Sequence, residues 1–581
     1  MKKILIYIFI ITAGSSLNGC YSLDTYPGDN LGEGLFWKTE DHVKQALMGV
    51  YQLMRNNNAY GMQFAFDHYA DIAYVYDLGQ AIAYGTYTDR TGEVQGKWQT
   101  MYEGIQRANS FIGQIPKLAF LSDDAKAEYI AEARFLRALY YFTLLDLFGG
   151  VPYYDETVNV NAEYADMKKP RSSADEIRSH IISDLDEAVA RLAATRPEAE
   201  YGRATKGAAY ALRGKVYLYA KDWQKSIADF EEVVYNKSNN YGYELDDDYA
   251  RIFKLYNGAK SNEMIFSVQN KSGVGTAYGM PLNFYMGTRN SYGSCWNNTM
   301  PATQLADMYE CPDGKPFNWN DVFVGEDYNA ATPEKRKELL SIEMTAGVVT
   351  GLRNADTAKI LSAYTNRDPR LMATLIVPYS WYKGWSANAP KDMLFALDNN
   401  VQGNENASPV GTMRNNKNWV TYFWRKFVTE YDLGGAISDR SHTPFEFPLI
   451  RYADVLLMLA EAYNEDGQLN KAVTELNKVR ARVGLPGLNS GNAWLSVGSK
   501  EDMAARIRKE RAVELAGEGH RFSDMRRWGW AIAGAAMTDV DAVNIYGEFL
   551  YTHKFNERDM LWPIPGVEIE RNPELIQNPG W

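Results

Sequence analysis

A mainly α protein, built from paired helices around a long irregular insertion, is what the sequence predicts, and three observations predict it. Apolar residues recur at helical spacing over 41–54, 98–115, 124–148, 174–193, 206–220 and 223–236. Two helix pairs in distant parts of the chain carry small and aromatic residues at the same offsets. Between about 240 and 445 the periodicity gives way to Gly, Asn, Pro and aromatic residues, as in Tyr278-Gly279-Met280-Pro281 and the run 379–385.

Each helix has local support. Asp41, Ser122 and Ser173 are side chains that cap orphan N–H groups at a helix start, and Gly149-Gly150 with Pro152 stops the third helix. In the first pair, Gly214, Tyr217, Trp223, Ser226, Phe230 and Val233 fall at tetratricopeptide-like offsets, where small residues let one helix nest on its partner. Ala460, Tyr463, Gly467, Leu469, Ala472, Leu476 and Val479 repeat that register in the second. With the insertion between them, the pairs are not expected to form one continuous stack. The insertion reads as ordered loops with short strands, because its aromatic content is that of a packed segment and not of a disordered one.

The N-terminus points to export. Lys2 and Lys3 precede the apolar run Ile4–Ala13, the layout of a signal peptide, and that run is shorter than the ~20 residues that span a bilayer. It ends in Leu17-Asn18-Gly19-Cys20, which resembles a lipobox, so Cys20 is expected to be lipidated and to anchor the protein in a membrane. The predicted organisation is a signal peptide at 1–19, lipidated Cys20 and a tether at 20–40, helical-repeat parts at 41–240 and 446–581, and a loop-rich binding region at 241–445.

Composition excludes several functions. The formal charge of −12 in 581 residues argues against nucleic acid as a partner. Three cysteines rule out a disulfide scaffold and a thiolate zinc site; pairing of Cys295 with Cys311 stays open. None of the six histidines has another at zinc-site spacing, Ser291 lacks the first glycine of a nucleophile elbow, and Ala208 stands where a phosphate-binding lysine is needed. Glu514 and Glu518 lie one helical turn apart, but Arg508, Arg511, Arg521, Arg526 and Arg527 lie nearby in sequence, and a structural ion-pair cluster explains them better than acid–base catalysis. Asp246-Asp247-Asp248 reads as an exposed acidic turn before it reads as a calcium loop. No cofactor, metal or catalytic residue is expected.

What stands out is 40 Tyr and 14 Trp, many in Gly- and Asn-rich segments outside the helices. One set of motifs runs through Cys20, Leu23-Asp24 and Pro27, through Trp98, Tyr102, Ile105 and Asn109, and through Glu132, Leu136, Arg137 and Tyr141 leading to Phe148-Gly149. It continues in Arg451-Tyr452-Ala453-Asp454, Glu510-Arg511, Glu514, Glu518-Gly519, Arg526-Arg527-Trp528, Pro563-Ile564-Pro565 and Gln577-Asn578-Pro579-Gly580. By these motifs the chain resembles the SusD/RagB family over nearly its whole length.

The resemblance implies a SusD-like superhelix of four tetratricopeptide-like units, two of them using the helices near 98–148 and 501–528. It also implies a non-catalytic outer-membrane lipoprotein, facing the exterior, that delivers a glycan or a peptide to a SusC-like TonB-dependent transporter. Sugar C–H faces stack on aromatic rings while Asn and Arg take hydroxyls. The expected ligand contacts are therefore Tyr84, Tyr87 and Arg90 before the Trp98 helix, Asn283, Tyr285, Tyr292 and Trp296 in a second loop, and Trp381 and Trp385 as a second patch. For each ring, packing under a loop stays an equal alternative.

Overall fold

The structure is a computed structural model describing residues 36–158, 167–271, 278–345, 348–352, 356–397, 419–529 and 540–581. The predicted leader, Cys20 and most of the tether lie outside the described residues. Among the described residues no helix is long and apolar enough to cross a membrane.

Among the described residues, ten helices form the frame: α1 (Glu40–Gln52), α2 (Gly92–Gln114), α3 (Asp123–Phe148), α4 (Ala174–Arg191), α5 (Lys206–Tyr219), α6 (Trp223–Tyr235), α7 (Tyr452–Glu465), α8 (Leu469–Arg482), α9 (Lys500–Glu514) and α10 (Arg521–Arg527). Ser122 and Ser173 cap α3 and α4, the latter in a reciprocal capping box with Glu176. Thr39, not Asp41, caps α1; Asp41 sits in its first turn, where a carboxylate still favours the helix dipole. The start of α2 precedes the predicted one because its first turn is mostly polar, with Val94 and Lys97 turned inward. Gly149 ends α3 at φ 74°, a conformation that glycine adopts without steric cost.

Neighbouring helices pack in sequence, α2 on α3, α3 on α4, α4 on α5, α5 on α6 and α7 on α8. The expected break between the two repeat pairs is absent: α6 packs directly on α7, across the whole insertion. The two pairs also turn alike. Asp222 N–H donates to the Tyr217 carbonyl at 2.9 Å and Gln468 N–H to that of Tyr463 at 2.7 Å, and the preceding residues, Lys221 and Gly467, both have positive φ. Gly214 is small for a reason, since a Cβ there would lie 2.7 Å from the Phe230 ring. Between layers, Arg137 on α3 holds Asp184 on α4, and Arg511 on α9 holds Asp454 on α7.

The insertion leaves and re-enters through a narrow neck, where strand Met264–Val268 pairs antiparallel with Phe447–Arg451. Beyond it lie short helices and two-stranded ladders. A buried ion-pair lattice fastens this region to the frame. Arg370 bridges Asp368, Glu510 and Glu514; Lys426 meets Glu518 at 2.7 Å; and Arg480 joins Glu310 to Glu510. Cys295 and Cys311 are both free; the buried Cys295 thiol faces the Tyr292 carbonyl at 3.3 Å, and burial raises its pKa.

Candidate functional site

The two predicted loops, nearly 200 positions apart in the chain, are stitched together by the strands that flank them. Strand Ala73–Val75 pairs antiparallel with Thr299–Pro301, and the ladder extends as Tyr76 N–H donates to the Asn298 carbonyl at 2.8 Å while Asn298 Nδ2 returns a bond to the Tyr76 carbonyl at 2.7 Å.

On the second loop, the short helix Leu282–Met286 offers Phe284 and Tyr285, half-buried rings whose centroids are 4.8 Å apart. Trp296, 39% exposed, packs on Phe284 at 4.9 Å, and its backbone N–H donates to the Phe284 carbonyl at 2.9 Å. Arg440 braces this group: its guanidinium lies 4.8 Å from the Phe284 centroid and donates to the carbonyls of Gly293, at 2.8 Å, and Ser294. Tyr292 reaches the second patch directly, with its ring 5.0 Å from that of Trp385. Trp385 belongs to the hairpin of strands Trp381–Ser386 and Ala389–Leu394. The structure therefore merges what the sequence presented as two patches: Tyr285, Trp296, Tyr292, Trp385 and Trp381 lie on joined elements.

On the first loop, Tyr84 is half-buried with its ring 4.7 Å from that of Tyr551, which continues to Trp419 at 6.0 Å and to Tyr76 at 5.3 Å from Trp419. Trp419 and Tyr551 come from remote segments and carry no local sequence signal. Phe284, the chain neighbour of Asn283, is absent from the contacts expected from the sequence.

Two expectations need correction. Tyr87 is 1% exposed, locked against Trp581 at 4.6 Å and near Trp562, so its ring is core and out of a ligand's reach. Asn283 is fully buried: Nδ2 donates to the Tyr292 carbonyl and faces Cys295, while Oδ1 accepts from the N–H and hydroxyl of Thr429. With its amide fully engaged, it shapes the loop from below. Arg90, by contrast, is exposed, and its guanidinium pairs with Glu570, itself equally exposed, a surface pair that leaves Arg90 accessible.

The carboxylates once weighed as catalytic are structural, with partners other than those adjacent in sequence. Glu514 contacts Arg370, Arg451 and Arg482, and Glu518 contacts Arg451 and Lys426. Burial alone would raise the Glu514 carboxyl, but Arg482, Arg451 and Arg370 bring it well below the usual carboxylate range. Arg511 goes to Asp454 and Asp524, Arg521 to Asp71, Arg526 to Asp146, and Arg527 to Glu461 and Asp524. Asp246 takes Arg251 and the Ser261 hydroxyl, and Asp248 caps a short helical turn. Among the described residues no cluster of His, Cys, Asp and Glu could hold a metal ion.

Residues 262–581 match the family model described as the SusD family. The chain belongs to the SusD family. Residues 23–218 match a second model, described as starch-binding and associating with the outer membrane, which is consistent with SusD membership across both halves of the frame. Among relatives, SusD-like protein P25 of Formosa agariphila is 25% identical, covering 100% of this chain and 98% of its own. The starch-binding protein SusD of Bacteroides thetaiotaomicron is 25% identical over 82% of this chain and 76% of its own. Among solved structures, a SusD-like protein of Bacteroides fragilis superposes with a TM-score of 0.74 at 24% identity, covering 96% of this chain and 100% of the other. A laminarin-binding SusD-like protein gives a TM-score of 0.64 at 24% identity, covering 94% and 100%. The SusD fold thus accounts for the stacked helices and the neck.

Proposed function

We propose that this protein captures a glycan on the aromatic face formed by Phe284, Tyr285, Trp296, Tyr292 and Trp385, without catalysis, and delivers it to a SusC-like TonB-dependent transporter. Lipidated Cys20 would hold it at the outer face of the outer membrane. The observation that carries this reading is a set of partly exposed rings on short loops whose backbones are fixed from beneath, by the Ala73–Val75/Thr299–Pro301 ladder, by buried Asn283 and by Arg440. Pre-ordered rings lose little entropy when they stack on sugar faces, so such a surface suits a rigid carbohydrate. Membership in a family with starch-binding and laminarin-binding relatives favours the same ligand class. The buried carboxylates support a non-catalytic role, because Glu514 and Glu518 are engaged by cations and lie away from open surface.

Affinity electrophoresis or calorimetry of the full-length protein in detergent, against plant, host and microbial polysaccharides, tests the reading. Retardation by a glycan that is lost in Trp296→Ala and Trp385→Ala is the expected result. Binding that survives both substitutions removes this face as the site, and binding of peptides with no glycan retained replaces the ligand class.

A further inference from the structure

The hairpin Trp381–Leu394 presents two different faces. Tyr382 and Gly384 point inward: the Tyr382 hydroxyl donates to the Thr429 carbonyl at 2.6 Å and meets Ser291 Oγ at 2.9 Å, and a Cβ on Gly384 would lie 2.7 Å from the Asn290 carbonyl oxygen. Because side chains alternate along a strand, sealing those two residues turns Trp381, Lys383 and Trp385 outward on one face. Trp381 is 61% exposed and Trp385 half-buried against Tyr292. At about 3.3 Å per residue the two indoles stand ~13 Å apart along the strand, longer than one sugar ring and comparable to a short oligosaccharide.

The side chain between them is a cation with room to act. Lys383 Nζ lies 3.6 Å from Glu430, beyond charge-assisted hydrogen-bond distance, and its side chain is 60% exposed. The same carboxylate is already held by Lys254 at 2.6 Å and flanked by Arg425 at 3.9 Å, so three cations share one acid. Asp392, directly across the strand from Lys383, accepts the Tyr431 hydroxyl at 2.5 Å. Three cations, Lys254, Lys383 and Arg425, thus stand against two carboxylates, Glu430 and Asp392, a local excess of one positive charge in a chain whose net formal charge is −12.

We propose that the Trp381–Lys383–Trp385 stripe selects an acidic saccharide, a uronic-acid or sulfate-bearing chain whose rings stack on the two indoles while its anionic group meets the Lys383 ammonium. The proposal rests on the glycan-capture reading and deepens it by naming the ligand class. Lys383 is thus a specificity-determining residue, and the tryptophans supply affinity that does not depend on charge.

The test compares polygalacturonate, alginate and chondroitin sulfate with laminarin and with carboxyl-reduced polygalacturonate, which keeps the backbone and loses the charge. Calorimetry on the full-length protein in detergent is run at low and high salt. The expected result is preference for an acidic polymer, weakened by salt. Lys383→Ala should lower that affinity by about fivefold, the upper end for one exposed ion pair, without affecting a neutral glycan. Lys383→Arg should retain the preference, and Trp381→Ala should weaken acidic and neutral ligands alike. Binding confined to neutral glycans, or an equal effect of Lys383→Ala on both classes, overturns the acidic-ligand proposal and leaves glycan capture standing. Retention of no glycan at all overturns both.

Discussion

Replacing Arg451 by methionine would strike the point where the neck strand meets the buried lattice. The Arg451 guanidinium is fully buried and makes five bonds: Nε to Glu518 at 2.7 Å, Nη1 to Glu263 at 2.6 Å and to Glu514 at 2.7 Å, and Nη2 to the Glu514 carbonyl and to Glu518, both at 2.8 Å. Methionine fills much of the stem's volume and restores none of the charge. Each carboxylate keeps another cation, Lys426 for Glu518 and Arg482 for Glu263 and Glu514, so none is left bare. Breaking a buried ion pair on one side costs about 3–5 kcal/mol, and the remaining partners place the expected loss toward the lower end. At a urea dependence of ~3 kcal/mol per molar, the unfolding midpoint falls by roughly 1 M. The deficit has a pH signature. Glu514 and Glu518 are held below their ordinary value of 4.5, so the stability they contribute is present above that value and is lost as pH falls through their folded-state values. The gap between wild type and Arg451→Met therefore holds from neutral pH down to about 4.5 and narrows below it. Urea titrations followed by circular dichroism measure it, and a loss below about 1 kcal/mol at neutral pH would refute the claim that this lattice fastens the insertion to the helices.

Three further outcomes follow from the geometry. Tyr87→Ala should cost about 3–5 kcal/mol by emptying a core site while leaving glycan affinity unchanged, whereas Trp296→Ala should do the reverse; denaturation and calorimetry on the same samples separate them. Gly519→Ala should destabilise by about 2–5 kcal/mol, since Gly519 has φ 78° and an added Cβ would overlap the Gln63 carbonyl oxygen; a melting temperature equal to wild type contradicts this. Burial lowers the pKa of His520 and of His553 to about 4 each, so both stay neutral in the fold while the unfolded chain takes up protons below 6.5. Stability from each is complete above pH 6.5 and declines toward pH 4 by up to about 1.4 kcal/mol per unit. Asp67, whose carboxyl burial lifts to about 7, acts in the opposite sense, so the slope is read as a difference: His520→Gln should show a flatter pH profile than wild type, and parallel profiles would count against it.

Helices were legible because apolar periodicity and caps are local properties. Ser122 and Ser173 could be read directly, while the start of α2 was obscured by a polar first turn. Ion pairing was legible only as a need. Glu514 and Glu518 called for cations, but Arg370, Arg451, Arg482 and Lys426 answer from distant segments, which no spacing rule can supply. The site divided the same way. Of the residues that type alone singled out, Trp296 and Trp381 are exposed and Trp385 is half-buried, whereas Tyr87 and Asn283 have similar loop surroundings and point inward. Inward or outward orientation on a loop depends on what packs beneath, here Trp581 and Thr429, and both partners lie far along the chain.

The neck changes what evolution can do with this chain. Because Met264–Val268 and Phe447–Arg451 close on each other, everything between them is a loop whose ends already touch, and lengthening such a loop adds only a slowly growing entropic cost. The helical stack does not sense its length, since α6 packs on α7 regardless. The segment between the neck strands can therefore change in length and sequence, provided it keeps the side chains that plug into the frame: Glu310, Arg370 and Lys426.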